Sequence, residues 1–344
     1  MVGYWPAWLK ITESRRTMLK DSRTQFNESR RADARRPPLT ARSGSRGRLK
    51  ACIAAIASAA MLAGCGGGDG GAGPAAFSVV ASGDIAKCNG APAAQSAAAR
   101  TAALISRDDA IVLTLGDNAY DNGTPEEFAN CFDPTWGAFK ERIRPSIGNH
   151  DTYTADTAGY FGYFGTLAGP DRRGYYSFDF GGWHFISLNS SGEVSTQSAQ
   201  YQWLVADLAS SRGTLCTIAY WHYPLFNSGS NHGVSPEMKP IFEALYNAGV
   251  EIVLSGHEHL YERFAPQTAN GVAEPARGVR QFVVGTGGYT TLDTFGAPLP
   301  NSEVRVEGTW GVLRLTLGEG QYSWQYLPVG GGAPRDSGRD VCHR

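Results

Sequence analysis

From residue 77 onward, short apolar runs rich in Val, Ile, Leu and Phe alternate with helix-length segments, the pattern of an α/β protein with helices packed on its sheets. Strand-sized runs fall at 77–82, 110–115, 176–180, 184–188, 215–220, 251–254, 281–284 and 312–317. Helical spacing of apolar positions is expected over 93–106, 125–132, 198–210 and 236–248, the last opened by Pro236 and closed before Gly249. Gly181-Gly182 between two of the strand runs reads as a hairpin turn, so the sheets are expected to be mixed.

Upstream this pattern is missing. Residues 1–45 mix Arg, Ser and Thr with few apolar residues, as in an extension that is disordered or precedes the true start of the protein. The basic cluster Arg46-Gly47-Arg48-Leu49-Lys50 then leads into an apolar run, 51–63, too short to span a bilayer. Charge, apolar run and small-residue site come in the order of a secretory signal. Its end, Leu62-Ala63-Gly64-Cys65, resembles the bacterial lipobox, in which the Cys is lipidated and begins the mature chain. The expected organisation is therefore a lipoprotein signal at 46–64, a Gly-rich tether at 65–75 and one domain at 76–344. It places the protein outside the cytoplasm, at the periplasmic or cell surface of the envelope, held to the membrane by a lipid on Cys65.

Charge sharpens the division. The chain has 31 Lys+Arg and 32 Asp+Glu, but residues 1–50 hold 13 of the basic and four of the acidic residues. The remaining 18 basic and 28 acidic residues leave the body at −10, a charge that repels a nucleic-acid backbone and excludes binding by that route. Of six cysteines, Cys52 lies in the signal and Cys65 in the lipobox. The other four allow three pairings, of which Cys88 with Cys131 and Cys216 with Cys342 is favoured; an oxidising compartment suits disulfides. No CxxC spacing points to thiolate zinc or redox chemistry.

The chemistry lies at the far ends of the apolar runs. These runs, with a further one at 144–147, close in Gly83-Asp84, in Gly116-Asp117-Asn118-Ala119-Tyr120, in Gly148-Asn149-His150-Asp151, in His222, and in Gly256-His257-Glu258-His259. Ligand sites in α/β folds gather beyond the carboxyl ends of strands, so five such endings imply one shared site. Asp84, Asp117, Tyr120, Asn149, His222, His257 and His259 offer oxygen and nitrogen donors of the kind transition metals prefer, about enough for two ions sharing a bridging carboxylate. In His257-x-His259 the two imidazoles are expected on one side of an extended segment.

In order and spacing, GDIA, GDNAY, GNHD, YWH and GHEH resemble the calcineurin-like metallophosphoesterase superfamily and, within it, the purple acid phosphatases, over residues 77–288. The resemblance implies a sandwich of two mixed β-sheets flanked by helices. It implies that Asp84, Tyr120 and His259 hold Fe(III), that Asn149, His222 and His257 hold a divalent Fe, Zn or Mn, and that Asp117 bridges the two. Tyr120 is the mark of the narrower group, since other members place a His at the position of Ala86, where many purple acid phosphatases have Gly. Two such cations clamp phosphate oxygens and lower the pKa of a bound water, which attacks the ester as hydroxide.

Next to Asn149, His150 would face the phosphate, stabilising developing charge or protonating the leaving alkoxide; His232, in the Gly/Ser-rich loop after His222, is the second catalytic candidate. Asp151 and Glu258 are expected to orient neighbouring histidines. His184, Arg263 and the Gly285–Gly288 turn are expected to be structural. The implied activity is a phosphomonoesterase of the acid phosphatase kind acting on small organic phosphates. A phosphodiesterase or nucleotidase on the same centre, or a surface lipoprotein that binds metal without turnover, are the alternatives.

Overall fold

The computed structural model describes residues 75–211 and 216–343; the expected extension, signal, most of the tether and the lipid-bearing Cys65 lie outside the described residues. Two sheets form the body. The first has six strands, β1 (Phe77–Ser82), β2 (Asp109–Leu115), β3 (Ile143–Ser146), β11 (Gly311–Gly318), β12 (Gln321–Pro328) and β13 (Asp336–Val341), in the order β13-β12-β11-β1-β2-β3. The second has seven, β4 (Tyr176–Phe180), β5 (Trp183–Ser187), β6 (Cys216–Trp221), β7 (Ile252–Ser255), β8 (Tyr261–Phe264), β9 (Arg280–Val284) and β10 (Ser302–Val306), in the order β10-β8-β9-β7-β6-β5-β4. Both are mixed: β1, β2 and β3 run parallel, as do β5, β6, β7 and β9, while β11 joins β1 antiparallel and β4 joins β5 antiparallel across Gly181-Gly182.

Alternation along the strands builds the layers. Val79 and Ala81 of β1 turn inward, with Leu113, Leu115, Ile218, Leu254 and Phe282, to fill the space between the sheets. Val80 and Val112 turn outward against Ala98 and Ala102 of α1 (Ala97–Ala102), joined by Phe128, Trp136 and Phe164. On the far side Ile186, Ala219, Trp221 and Val253 pack against Leu204 of α4 (Ala199–Ser210) and Ile241, Phe242 and Leu245 of α5 (Lys239–Ala248). Strands buried on both faces explain why the central runs read as continuously apolar.

The helices are shorter than their patterns. Ser96 interrupts the run 93–106: its hydroxyl accepts from the Ala99 N–H, so α1 begins only at Ala97. In 125–132 only α2 (Pro125–Glu127) is α-helical, and the chain widens into a π turn over Phe128–Phe132. Among the described residues one further α-helix, α3, spans Ala158–Phe164. Disulfides join Cys88 to Cys131 and Cys216 to Cys342, the favoured pairing. Among the described residues no helix is long and apolar enough to cross a membrane.

Candidate metal centre

The carboxyl ends of β1, β2 and β3 in one sheet, and of β6 and β7 in the other, deliver their polar residues to one place. Tyr120 hydroxyl lies 2.8 Å from Asp84 Oδ1 and 2.7 Å from Asp117 Oδ2. His259 Nε2 is 3.3 Å from Asp84 Oδ1, and His222 Nε2 is 3.4 Å from Asp117 Oδ2. Asn149 Oδ1 and His257 Nδ1 approach the same His222 Nε2 at 3.1 and 3.2 Å. All seven expected donors are thus brought together, with Asp117 between the Tyr120 and His222 sides.

The loops reach this arrangement through backbone that few residues adopt. Asp84 (φ 60°), Asp117 (φ 51°) and His257 (φ 74°) are all left-handed, a strain that persists only where the surroundings over-determine it. The glycines of the motifs are spaces for donors. A Cβ on Gly116 would lie 2.6 Å from His222 Nδ1, and one on Gly256 would lie 2.7 Å from Asp84 Oδ2. Ala86, where many of the resembled family have Gly, packs its methyl into the outer core, while its N–H donates to Asn118 O and its carbonyl accepts from Tyr120 N–H.

Electrostatics make this a place for cations. Asp84 and Asp117 are buried, which opposes their ionisation, yet facing histidines hold both below the ordinary carboxylate range. Burial likewise opposes charge on His222, but Asp117 and Asp84 push it up to about 9; His257, buried beside it, is pushed down to about 3. The carbonyl of Leu115 can only accept, so His222 Nδ1 carries a proton and its Nε2 is the nitrogen turned to Asp117, Asn149 and His257. Oxygen and imidazole nitrogen atoms gathered around two buried carboxylates that favour positive charge are the donor set a pair of cations fits.

His150 and His232 stand beside the cluster. His150 N–H donates to Asp117 Oδ1 at 2.9 Å, and its Nδ1 donates to the Asp121 carbonyl at 2.5 Å, leaving Nε2 facing Asp117 Oδ2 at 3.9 Å. His232 rests against His257 and His259 at ring-centroid distances of 4.6 and 5.3 Å. Its Nδ1 lies 3.2 Å from Glu258 Oε2 and 3.4 Å from Asp293 Oδ2, and these carboxylates raise its pKa to about 10.

Glu258 therefore orients a histidine as expected, but Asp151 does not. Its carboxylate accepts from Gly148 N–H and from Asn118 N–H and Nδ2, tying the loop of Asp117 to that of Asn149. Asp293, which no motif marked, accepts from His259 N–H at 2.7 Å as well as bracing His232. Three aromatic residues at the site were also unmarked: Tyr153, Tyr223 and Tyr289 touch His150, His257 and His259. The structural expectations hold elsewhere: His184 sits between Asp179 and Asp207, Arg263 pairs with Asp336 and Glu303, and Gly287 N–H donates to Gly83 O.

The family model described as calcineurin-like phosphoesterase matches residues 77–261. Purple acid phosphatase 22 of Arabidopsis thaliana is 31% identical over 247 residues, 64% of this chain and 54% of its own length. Purple acid phosphatase 15 of the same plant is 30% identical over 220 residues, 54% of this chain and 41% of its own length. The chain thus spans about half the length of these curated relatives. Among solved structures, a purple acid phosphatase from yellow lupin (Lupinus luteus) seeds superposes with a TM-score of 0.60 at 19% identity, over 78% of this chain and 54% of that one. GAP50, the anchor in the inner membrane complex of Plasmodium, gives 0.58 at 13% identity, over 78% and 90%. At such identities the structural likeness speaks for the two-sheet fold alone.

Proposed function

Because the chain belongs to the calcineurin-like phosphoesterase family, we propose that it is a phosphomonoesterase with a binuclear metal centre, releasing inorganic phosphate from small organic esters. The observation that carries this reading is the convergence from five strand ends of seven oxygen and nitrogen donors, two of them the buried carboxylates of Asp84 and Asp117. Asp84, Tyr120 and His259 would hold one ion, which we take to be Fe(III); Asn149, His222 and His257 would hold a divalent Fe, Zn or Mn, with Asp117 shared. Such a pair, when bound, neutralises charge on the phosphate oxygens and lowers the pKa of water at the site.

The chain's own groups do the rest. The Asp121 carbonyl fixes His150 with Nε2 toward the centre, in position to give a proton to the departing ester oxygen. Glu258 and Asp293 hold His232 at the open edge, where its imidazole meets the anionic substrate. That every donor and His150 are present and assembled favours an enzyme over a protein that only binds metal. The disulfides support an exported protein, and attachment through a lipid on Cys65 belongs to the same proposal. The test compares rates on matched monoesters and diesters with the metal-loaded protein: faster monoester hydrolysis is expected, and a preference for the diester would overturn the reading.

A further inference from the structure

Once an ester oxygen takes its proton from His150, the rest of the leaving group must extend outward past that ring. The next side chain outward is Tyr153. Its ring centroid lies 4.9 Å from that of His150, and its hydroxyl accepts from Asn149 Nδ2 at 3.1 Å. Its backbone is tied to the same short turn, Tyr153 N–H donating to the His150 carbonyl, so ring and imidazole are held as one unit. Yet 56% of Tyr153 is exposed, among the largest exposures of any sizeable apolar side chain among the described residues.

The other aromatic rings at the centre are less open, Tyr223 and Tyr289 being half-buried. Tyr120 is buried among His150, His259 and Tyr289. Tyr289 carries the Lys87 ammonium 4.7 Å from its ring centroid, and Tyr223 packs edge-on against His257 at 4.5 Å. Among the described aromatic residues at the centre, Tyr153 is the one that is mostly exposed while its ring packs beside His150.

We propose that Tyr153 is a leaving-group platform, giving the site a preference for phosphate monoesters whose leaving group carries a flat aromatic ring. This rests on the phosphomonoesterase reading. Ring-on-ring packing favours an aromatic partner over an aliphatic ring of equal size, because quadrupole complementarity adds to the burial that both share.

The probes are benzyl phosphate and cyclohexylmethyl phosphate, two primary-alcohol esters that differ in ring flatness, on the metal-loaded full chain. Wild type is expected to favour the benzyl ester roughly five- to tenfold in kcat/KM, a preference kept by Tyr153→Phe and brought close to one by Tyr153→Ala. Equal rates in wild type, or an undiminished preference in Tyr153→Ala, would overturn the platform. Calorimetric affinities for benzylphosphonate and cyclohexylmethylphosphonate judge it without turnover. A binding preference lost in Tyr153→Ala supports it, equal affinities overturn it, and wild-type failure to hydrolyse either ester counts against the phosphomonoesterase reading alone.

Discussion

Replacing Gly256 by Ala tests whether the glycines of the strand-end motifs exist to make room for donors. The added Cβ would lie 2.7 Å from both Asp84 Oδ2 and the Leu115 carbonyl oxygen, and 3.2 Å from His222 Nδ1, where ordinary contact begins at 3.4 Å. The carboxylate and the backbone of β2 would each have to give about 0.7 Å, whereas metal-ligand distances tolerate only about 0.2 Å. Displacements of that order cost about 10²-fold in rate, while overpacking costs the fold about 1–3 kcal/mol. Metal content by elemental analysis, phosphate release and a thermal melt separate the two effects: Gly256→Ala should fold, retain less metal and lose activity. The control is Gly162→Ala in α3, where a Cβ meets nothing within 4 Å; it should be neutral or stabilising by about 0.5–1 kcal/mol, with full activity. A Gly256→Ala protein with two ions per chain and wild-type turnover would show that Gly256 is not needed to make room for Asp84 and His222.

Replacing His150 by Asn should leave metal content intact and lower kcat by about 10²- to 10⁴-fold, more on esters of poor leaving groups than of good ones; an equal loss on both would remove its role as proton donor. His184, buried and facing Asp179 and Asp207, has its pKa raised by them against the opposing effect of burial. The stability it contributes is therefore present below the unfolded value of about 6.5 and lost as pH rises through the raised folded value. The melting-temperature gap between wild type and His184→Asn should be wider at pH 5.5 than at pH 9, and a gap that widens upward would contradict the pairing. Cys216–Cys342 closes a separation of 126 residues, for which loop-closure entropy suggests about 5 kcal/mol, so Cys216→Ser with Cys342→Ser should shift chemical unfolding to clearly lower denaturant.

The site was far more legible in the sequence than the periphery of the fold. Asp84, Asp117, His222 and His257 each follow within two residues of an apolar run that is an interior strand, so composition marked both the strand and its functional end; Asn149 follows the edge strand β3. The strands β8, β10, β12 and β13 carry weak apolar runs: β8, Tyr-Glu-Arg-Phe, is buried but half charged, β12 buries only every second residue, β10 alternates exposed with half-buried positions at a sheet edge, and β13, Asp-Ser-Gly-Arg-Asp-Val, has almost no apolar signal. The two imidazoles of the last motif do meet at the centre, but not through extended alternation. His257 is left-handed, and a turn, not a strand, carries both. Asp293 was invisible because its contacts with His232 and His259 are long-range, and nothing near it in the chain repeats a strand-end pattern.

On the proposed function, paired ions held by these seven donors hydrolyse a phosphate monoester. Its most direct test is to titrate chelator-stripped protein with Fe(III) and Zn(II) while recording ions bound per chain, visible absorption and phosphate release. Activity should rise to a maximum at two ions per chain, with a Tyr120-to-Fe(III) charge-transfer band that Tyr120→Phe abolishes. Full activity in the stripped protein, or two bound ions with no hydrolysis of any ester, would contradict it.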